Sequence, residues 1–236
     1  MGLNKSTSSL KKEARGLLLG NYRSAISLLL ASNLIISTLT LFIGSSGGFS
    51  LLNLIIDYLV SFILTLLSCI LQVGQYSFYL KVACRQQTQF KDLFEGFLLY
   101  PDKTLWSQFL VHLLTFLSFA PGLVLIFLYA FSNVEVSLTV LFCVIIIGAI
   151  LGIWIELLFS QCYFLLLDFP QLSAFNLMKK SIQLMKGHKI RLLLLQLSFL
   201  PMILLSFLTF GIGFLFIIPY QSMTKTLFYL DLIQNN

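Results

Sequence analysis

The chain has 236 residues, of which 58% belong to the apolar and aromatic set AVILMFWYC and only 10% are charged. A soluble globular domain carries about 25% charged residues, so this composition excludes both a soluble domain and a disordered chain. The 15 Lys and Arg against 9 Asp and Glu leave a net charge of +6. With charges this sparse, we expect the basic residues to face a lipid bilayer rather than nucleic acid.

Six apolar runs are long enough for membrane-spanning helices, each of which needs about 20 mostly apolar residues. Three of the runs exceed what a bilayer requires, so we expect them to tilt or to extend beyond the lipid. The predicted fold is all-α, a polytopic transmembrane bundle of six helices in three hairpins, within one integral membrane domain. The six runs cover residues 22–43, 51–80, 104–131, 136–167, 190–208 and 213–232.

The links between these runs are of two kinds. Residues 44–50, 132–135 and 209–212 form short links that contain no Lys or Arg. All 15 basic residues lie in the N-terminal segment or the two long links, at the adjoining start of the first or fifth run (Arg23 and Arg191), or toward the C-terminal end of the last helix. Because cytoplasmic loops are enriched in Lys and Arg, both termini and both long links are predicted to be cytoplasmic.

Each hairpin is preceded by a basic segment with the periodicity of an amphipathic helix. In the second link, Phe90, Leu93, Phe94, Phe97 and Leu98 share one predicted helical face. Two interpretations stay open for these helices: they lie in the plane of the membrane interface, or they cap the bundle. The corresponding residues before the other two hairpins are Leu10, Ala14, Leu17, Leu18, and Phe175, Met178, Ile182, Met185.

The same segments show a weak threefold internal repeat. Each ends in the pattern Leu-x-x-Gly, at Gly20, Gly96 and Gly187. Glycine adopts the left-handed conformation at no steric cost, so these glycines are predicted to end the helices. Chance similarity between Leu-rich helices is the alternative to a true repeat. The repeat units are residues 5–83, 84–169 and 170–233, and the second helices carry Gln75, Gln161 and Gln221.

One acidic residue lies deep in an apolar run. Glu156 is about 11 residues from the inner end of the fourth predicted helix, which corresponds to about 16 Å. An ionisable group at that depth is expensive, so it indicates a functional site by default. Gly148, Gly152 and Ser160 are spaced from Glu156 by multiples of four and share its face. Since a GxxxG pair allows close approach of two helices, this face is predicted to contact another helix.

His112 is the predicted partner of Glu156. It lies about 12 Å into the third helix from the same side, and the third and fourth helices are neighbours. The functional interpretation is a ligand-binding or proton-linked pair, with Ser160 and Gln161 beside it. The structural interpretation is a packing pair, or a protonated Glu156 that bonds to a glutamine, because buried polar groups mainly need partners.

Prolines and one further carboxylate give weaker signals. Pro121, Pro201 and Pro219 are expected to interrupt the third, fifth and sixth helices, because proline removes a backbone hydrogen bond. Asp168 is expected to start the amphipathic helix that follows it.

The sequence contains no catalytic motif such as GxSxG or HExxH, and no phosphate-binding glycine loop. Four cysteines are spread along the chain without a CxxC pair, so we expect four free thiols and no metal site. We therefore expect a protein that is not an enzyme and that uses no cofactor.

The motif LMKGHKIRLLLLQLSFLPMILLSFLTFGIGFLFIIPYQSMTKTLFYLDL, residues 184–232, resembles the integral membrane proteins of Firmicutes grouped as domain-of-unknown-function family 975. LKKEARGLLLGNYRSAI, residues 10–26, and FKDLFEGF, residues 90–97, add to the resemblance, which spans almost the whole chain. FAPG, residues 119–122, stands where the family pattern has IIPG. The resemblance implies a multi-pass bacterial plasma-membrane protein; it assigns no activity, so no functional residues carry over.

Two functions are consistent with these features. The first is a non-enzymatic bundle that handles an amphipathic ligand, a lipid or a membrane-active peptide, or transports it. The alternative is an accessory subunit that docks onto another membrane complex through its GxxxG face and basic helices. The expected partners are the lipid bilayer and other membrane proteins, not nucleic acid, and the sequence leaves the oligomeric state open.

Overall fold

The computed structural model describes residues 5–43, 50–99, 101–131 and 137–235, and these form helices and no strands. The all-α class predicted from the sequence is therefore confirmed. Residues 44–49 of the first short link predicted from the sequence, and all of the link at 132–135, lie outside the described residues. The helices are α1 (Thr7–Leu18), α2 (Tyr22–Ile43), α3 (Leu51–Ala83), a 3-10 helix (Phe90–Phe94), α4 (Glu95–Leu99), α5 (Pro101–Phe131), α6 (Leu138–Phe159), α7 (Cys162–Asp168), α8 (Ala174–Leu184), α9 (Lys189–Leu197), α10 (Leu200–Leu208) and α11 (Phe214–Asn235).

Within this part of the chain, five segments are long and apolar enough to cross a membrane. Two of them each join two successive helices, α6 with α7 and α9 with α10. The sixth predicted span coincides with α11 but does not reach the same hydropathy, because it carries several polar residues. Half of the residues of α11 are buried, among them Thr224 and Asp231, and a helix shielded in this way can hold polar side chains. The five spans are Tyr22–Phe42, Leu51–Ala83, Pro101–Tyr129, Leu138–Asp168 and Lys189–Leu208.

The largest buried cluster lies where α1, α3, α9 and α11 meet. Three residues of α1, Leu10, Ala14 and Leu18, are buried there at helical spacing. Beside this cluster, the backbone N–H of Lys5 donates to Asp231 Oδ1 over 3.3 Å, and Arg191 forms an ion pair with the same carboxylate. These contacts place the N-terminal segment, the start of α9 and the end of α11 side by side.

The residues after α3 fold back along it. A Cβ atom added at Gly74 would lie 2.0 Å from the Leu93 carbonyl oxygen, and one at Gly96 would lie 2.3 Å from that of Ile70. The backbone of α3 and that of the returning segment are therefore in contact at two points, each with a glycine on one side and a carbonyl group on the other. Lys81, at the end of α3, forms ion pairs with the carboxylates of Asp92 and Glu95. The single helix indicated by the periodicity is instead a 3-10 helix followed by α4. Of its predicted apolar face, Leu93 alone is buried.

The glycine prediction is confirmed at two of its three positions. Gly20 (φ 94°) and Gly187 (φ 83°) adopt the left-handed conformation two and three residues after the ends of α1 and α8. It is wrong at Gly96, which lies inside α4, because the constraint there is the close approach of the Ile70 backbone rather than a helix end.

The proline and Asp168 expectations are partly wrong. α5 and α11 continue through Pro121 and Pro219, so neither residue ends a helix. The fifth apolar run does break, at Ser198–Phe199, and Pro201 lies in the first turn of α10. Asp168 ends α7 and accepts a hydrogen bond of 2.5 Å from the Tyr229 hydroxyl. The N-cap of α8 is Ser173, whose side chain accepts from the backbone of Asn176.

Candidate functional site

The four residues singled out by the sequence as ligand or proton-linked candidates line one cavity of about 280 Å³. The cavity lies among α3, α5, α6, α9 and α11, and its wall also contains Gln72, Gln108 and Gln196. Three helices thus contribute amides to a mainly polar lining, in which the purely apolar side chains are Val111, Phe159, Phe164 and Leu192. The four candidates are His112, Glu156, Ser160 and Gln161.

Glu156 and His112 face the same space without bonding to each other directly. The carboxylate lies within electrostatic range of the ring, yet the two side chains make no mutual hydrogen bond among the described contacts. His112 Nε2 instead lies 3.7 Å from the Cys69 Sγ. Glu156 is exposed rather than sealed by neighbouring side chains, so its carboxylate is accessible from the cavity. No described residue forms a hydrogen bond or an ion pair with this carboxylate.

Gln161 closes the wall of the cavity where α6 gives way to α7. Its side chain is only 2% exposed, and its Nε2 donates to Ser160 Oγ over 2.8 Å. The Ser160 hydroxyl in turn donates to the Leu157 carbonyl oxygen over 2.9 Å. The Gln161 Oε1 atom is buried and has no hydrogen-bond partner in the structure. A buried acceptor of this kind is costly unless a donor reaches it.

Lys225 on α11 lines the same cavity, although the sequence indicated it only as an orientation signal. Its ammonium group has no hydrogen bond, ion pair or ring contact with any described residue. A cation within an apolar run is as expensive as the carboxylate of Glu156 and could have been identified by the same argument. The cavity therefore holds one unpaired charge of each sign.

A second polar cavity of about 400 Å³ adjoins the first, between α2, α3 and α11. Within it, Gln75 Nε2 donates to Ser32 Oγ over 2.5 Å, and Gln221 lies opposite. Gln75, Gln161 and Gln221, the glutamines of the predicted repeat, thus all line this pair of cavities. The two cavities share Ser68, Gln72, Tyr76 and Lys225.

On its other side, the first cavity continues into an apolar groove of about 490 Å³ between α3 and α5. Two ring pairs form much of the groove: Tyr58 with Phe116, whose centroids are 5.7 Å apart, and Phe62 with Phe109, at 5.9 Å. Polar and apolar spaces meet at three residues that line both, Thr65, His112 and Thr115. One continuous site therefore offers charged groups at one end and aromatic rings at the other.

The glycines predicted for helix packing face α5. A Cβ atom at Gly148 would lie 2.9 Å from the Ser118 carbonyl oxygen, and one at Gly152 would lie 3.3 Å from the Phe119 ring. The Ser118 hydroxyl also donates to the Gly148 carbonyl oxygen over 3.4 Å. This packing holds α6 against α5 and so sets the position of Glu156 opposite the α5 wall of the cavity.

The described residues contain no group of three or more His, Cys, Asp and Glu that could hold a metal ion. Cys69, Cys84, Cys143 and Cys162 are free thiols, as predicted. The cavity and the groove together present charged side chains, hydrogen-bonding amides and hydroxyls, and aromatic rings.

Comparison with known proteins identifies a family without a known activity. The family model described as "Protein of unknown function (DUF975)" matches residues 1–236. No curated protein matches the chain, and no solved structure does. Since the family model covers the whole chain, the resemblance noted in the three sequence motifs is confirmed, and the protein belongs to the DUF975 family.

Proposed function

We propose that this protein is a multi-pass protein of the bacterial plasma membrane that binds a lipid. The polar head of the lipid lies in the cavity of Glu156, and an acyl chain lies in the aromatic groove. The protein is not an enzyme in this proposal, and it holds or moves its ligand without chemical change. The single observation that carries the proposal is the junction at Thr65, His112 and Thr115, where the polar cavity opens into the apolar groove.

The shape of the site favours a lipid over a peptide. Ligand sites combine a mainly apolar lining with a few placed polar groups. Here the apolar and polar parts lie at opposite ends of one tract rather than alternating along it. A lipid has that same separation of head from chain, whereas a membrane-active peptide distributes its polar groups along one face.

Thr115→Trp tests the proposal by filling the junction. Thr38→Trp on α2 is a matched control, because both hydroxyls donate to the carbonyl oxygen four residues earlier and Thr38 lines neither the cavity nor the groove. We expect native mass spectrometry of protein purified in mild detergent to show a bound lipid in the wild type and the control. The lipid should be absent from Thr115→Trp. Equal lipid retention by both variants, or a co-purified peptide in place of lipid, contradicts the proposal.

The same proposal includes six crossings with both termini in the cytoplasm. α9 begins beside Asp231, through its contact with Arg191, and α9 with α10 forms one candidate span that leads away from it. The turn at residues 209–213 then reverses the chain, and α11 returns to Lys5. With 22 residues, α11 is about 33 Å long, enough to cross a hydrocarbon core of about 30 Å.

Reporter fusions test this orientation. A green fluorescent protein fused to either terminus should fluoresce, and alkaline phosphatase fused there should be inactive. Active phosphatase at the C-terminus together with a fluorescent N-terminal fusion would instead indicate five crossings.

The alternative function, an accessory subunit of another membrane complex, rested on the GxxxG face and the basic helices. Gly148 and Gly152 pack against α5 of the same chain, so that face is not free for a partner. The basic helices are what still favours the alternative. Purification from native membranes separates the two functions, because a stoichiometric protein partner supports docking and its absence supports the lipid-binding bundle.

A further inference from the structure

The two charges in the polar cavity carry an inference about the head group of the ligand. Glu156 projects from α6 and Lys225 from α11 into one space, and neither forms an ion pair with a described residue. Opposite charges held apart in a membrane interior are each costly, because little water is present to solvate them. Both costs fall when one ligand presents a cation to Glu156 and an anion to Lys225.

The buried amide of Gln161 restricts which kind of cation the cavity can bind. Its Oε1 atom accepts no hydrogen bond, and the side chain is 2% exposed. Oε1 can only accept, so a ligand group that reaches it has to be a donor. A primary ammonium carries three N–H donors and can serve both the Glu156 carboxylate and Gln161 Oε1. A trimethylammonium group carries none and would leave Oε1 without a partner.

We propose that the site selects a zwitterionic head group in which a primary ammonium lies a few bonds from a phosphate or carboxylate. The ammonium binds Glu156 and Gln161, and the anionic group binds Lys225. This inference rests on the proposed lipid-binding function. Phosphatidylethanolamine has the required chemistry together with acyl chains for the aromatic groove, and free phosphoethanolamine has the same head without them.

The test measures retention of defined lipids by purified, delipidated protein, using native mass spectrometry. The probes are phosphatidylethanolamine, phosphatidylcholine and phosphatidylglycerol with the same chains, and free phosphoethanolamine. Charged hydrogen bonds of the expected kind correspond to at least about a tenfold preference. We therefore expect phosphatidylethanolamine to bind about tenfold more tightly than the other two lipids. Binding of free phosphoethanolamine as tight as that of the lipid identifies the soluble zwitterion as the source of the head group.

Two substitutions assign the preference to the charges. Glu156→Gln should reduce the ratio of phosphatidylethanolamine to phosphatidylglycerol binding to near one while phosphatidylglycerol is still retained, which shows that the variant is folded. Lys225→Gln should weaken all three lipids. Glu13→Gln and Lys186→Gln are matched controls, because both residues are exposed and lie outside the cavity. They should leave the wild-type ratio unchanged.

The possible failures are distinguishable. If the wild type retains lipids but does not prefer phosphatidylethanolamine, or if Glu156→Gln keeps the wild-type preference, the zwitterion inference is overturned and the lipid-binding function stands. If no lipid and no phosphoethanolamine is retained, both are overturned.

Discussion

Gly74→Ala is the substitution for which the structure gives the clearest energetic expectation. The added methyl group would lie 2.0 Å from the Leu93 carbonyl oxygen, and because that atom belongs to the backbone, α3 and the returning segment must separate by about 1 Å. Separation exposes part of Leu93, which is 0% exposed, and stretches the ion pair between Lys81 and Asp92. Burial of a leucine contributes about 1.5–3 kcal/mol, and breaking a half-buried ion pair costs up to about 3 kcal/mol.

Alanine in place of glycine within a helix also stabilises it by about 1 kcal/mol, which offsets part of the loss. The net expectation is a destabilisation of about 3 kcal/mol, or a fall in the unfolding midpoint of about 6–12 °C by the scaling of domains this size. Gly16→Ala measures the stabilisation of a helix by alanine alone, because Gly16 lies inside α1 with no atom within 4 Å of an added Cβ. The unfolding midpoint of that variant should rise by about 2–4 °C.

The measurement is thermal unfolding of the purified variants in one detergent, followed by intrinsic tryptophan fluorescence and by size-exclusion chromatography after heating. An unchanged midpoint for Gly74→Ala would refute the close backbone approach. A fall of equal size in Gly16→Ala would show that an added methyl group destabilises the chain even where no atom lies within 4 Å, and the explanation through Leu93 would then fail.

Three further substitutions have expected outcomes, each measured as the thermal midpoint in detergent. Asp231→Asn should lower stability by about 3 kcal/mol, because the half-buried Arg191 loses its carboxylate; an unchanged midpoint would contradict this. Tyr229→Phe should cost about 1–3 kcal/mol, since Asp168 loses its 2.5 Å donor, and a neutral result would mean that water replaces the hydroxyl. Lys225→Met should leave the midpoint of the delipidated protein unchanged or higher, because it removes an unpaired cation. The same variant should retain less lipid, so a marked loss of stability without lipid would indicate a structural role for Lys225.

The fold class could be predicted because apolar runs of sufficient length have few alternatives to membrane helices. Five of the six runs coincide with the candidate spans to within a few residues. The course of residues 90–99 could not be predicted, because it depends on the meeting of Gly74 with Leu93 and of Gly96 with Ile70. These are tertiary backbone contacts, which leave no periodicity in the sequence.

The candidate site was predictable on its α6 side. A lone carboxylate in an apolar run, with small residues at multiples of four, was enough to indicate Glu156 and its packing face. The cation in the same cavity was missed, because Lys225 was interpreted only as one of the basic residues that indicate membrane orientation. The aromatic groove was also missed. Rings such as Phe62 and Phe116 are part of an apolar run whether they face lipid or line a site, so the sequence does not distinguish the two cases.

One end of the bundle is densely packed and the other sparsely packed, and the candidate site lies where the two parts meet. The densely packed end is the one that contains the ion pairs of Lys81 and Arg191. There the buried face of α1 packs with α3, α9 and α11. Toward the other end, large apolar side chains such as Leu117, Val124 and Ile147 are exposed, and lipid must cover them. The groove opens in this sparsely packed part, whereas Gln161 and Lys225 border the densely packed part. A lipid bound across the junction adds contacts between the two parts. Because a ligand that binds only the folded state stabilises it by mass action, the proposed binding and the stability of the bundle are thermodynamically linked.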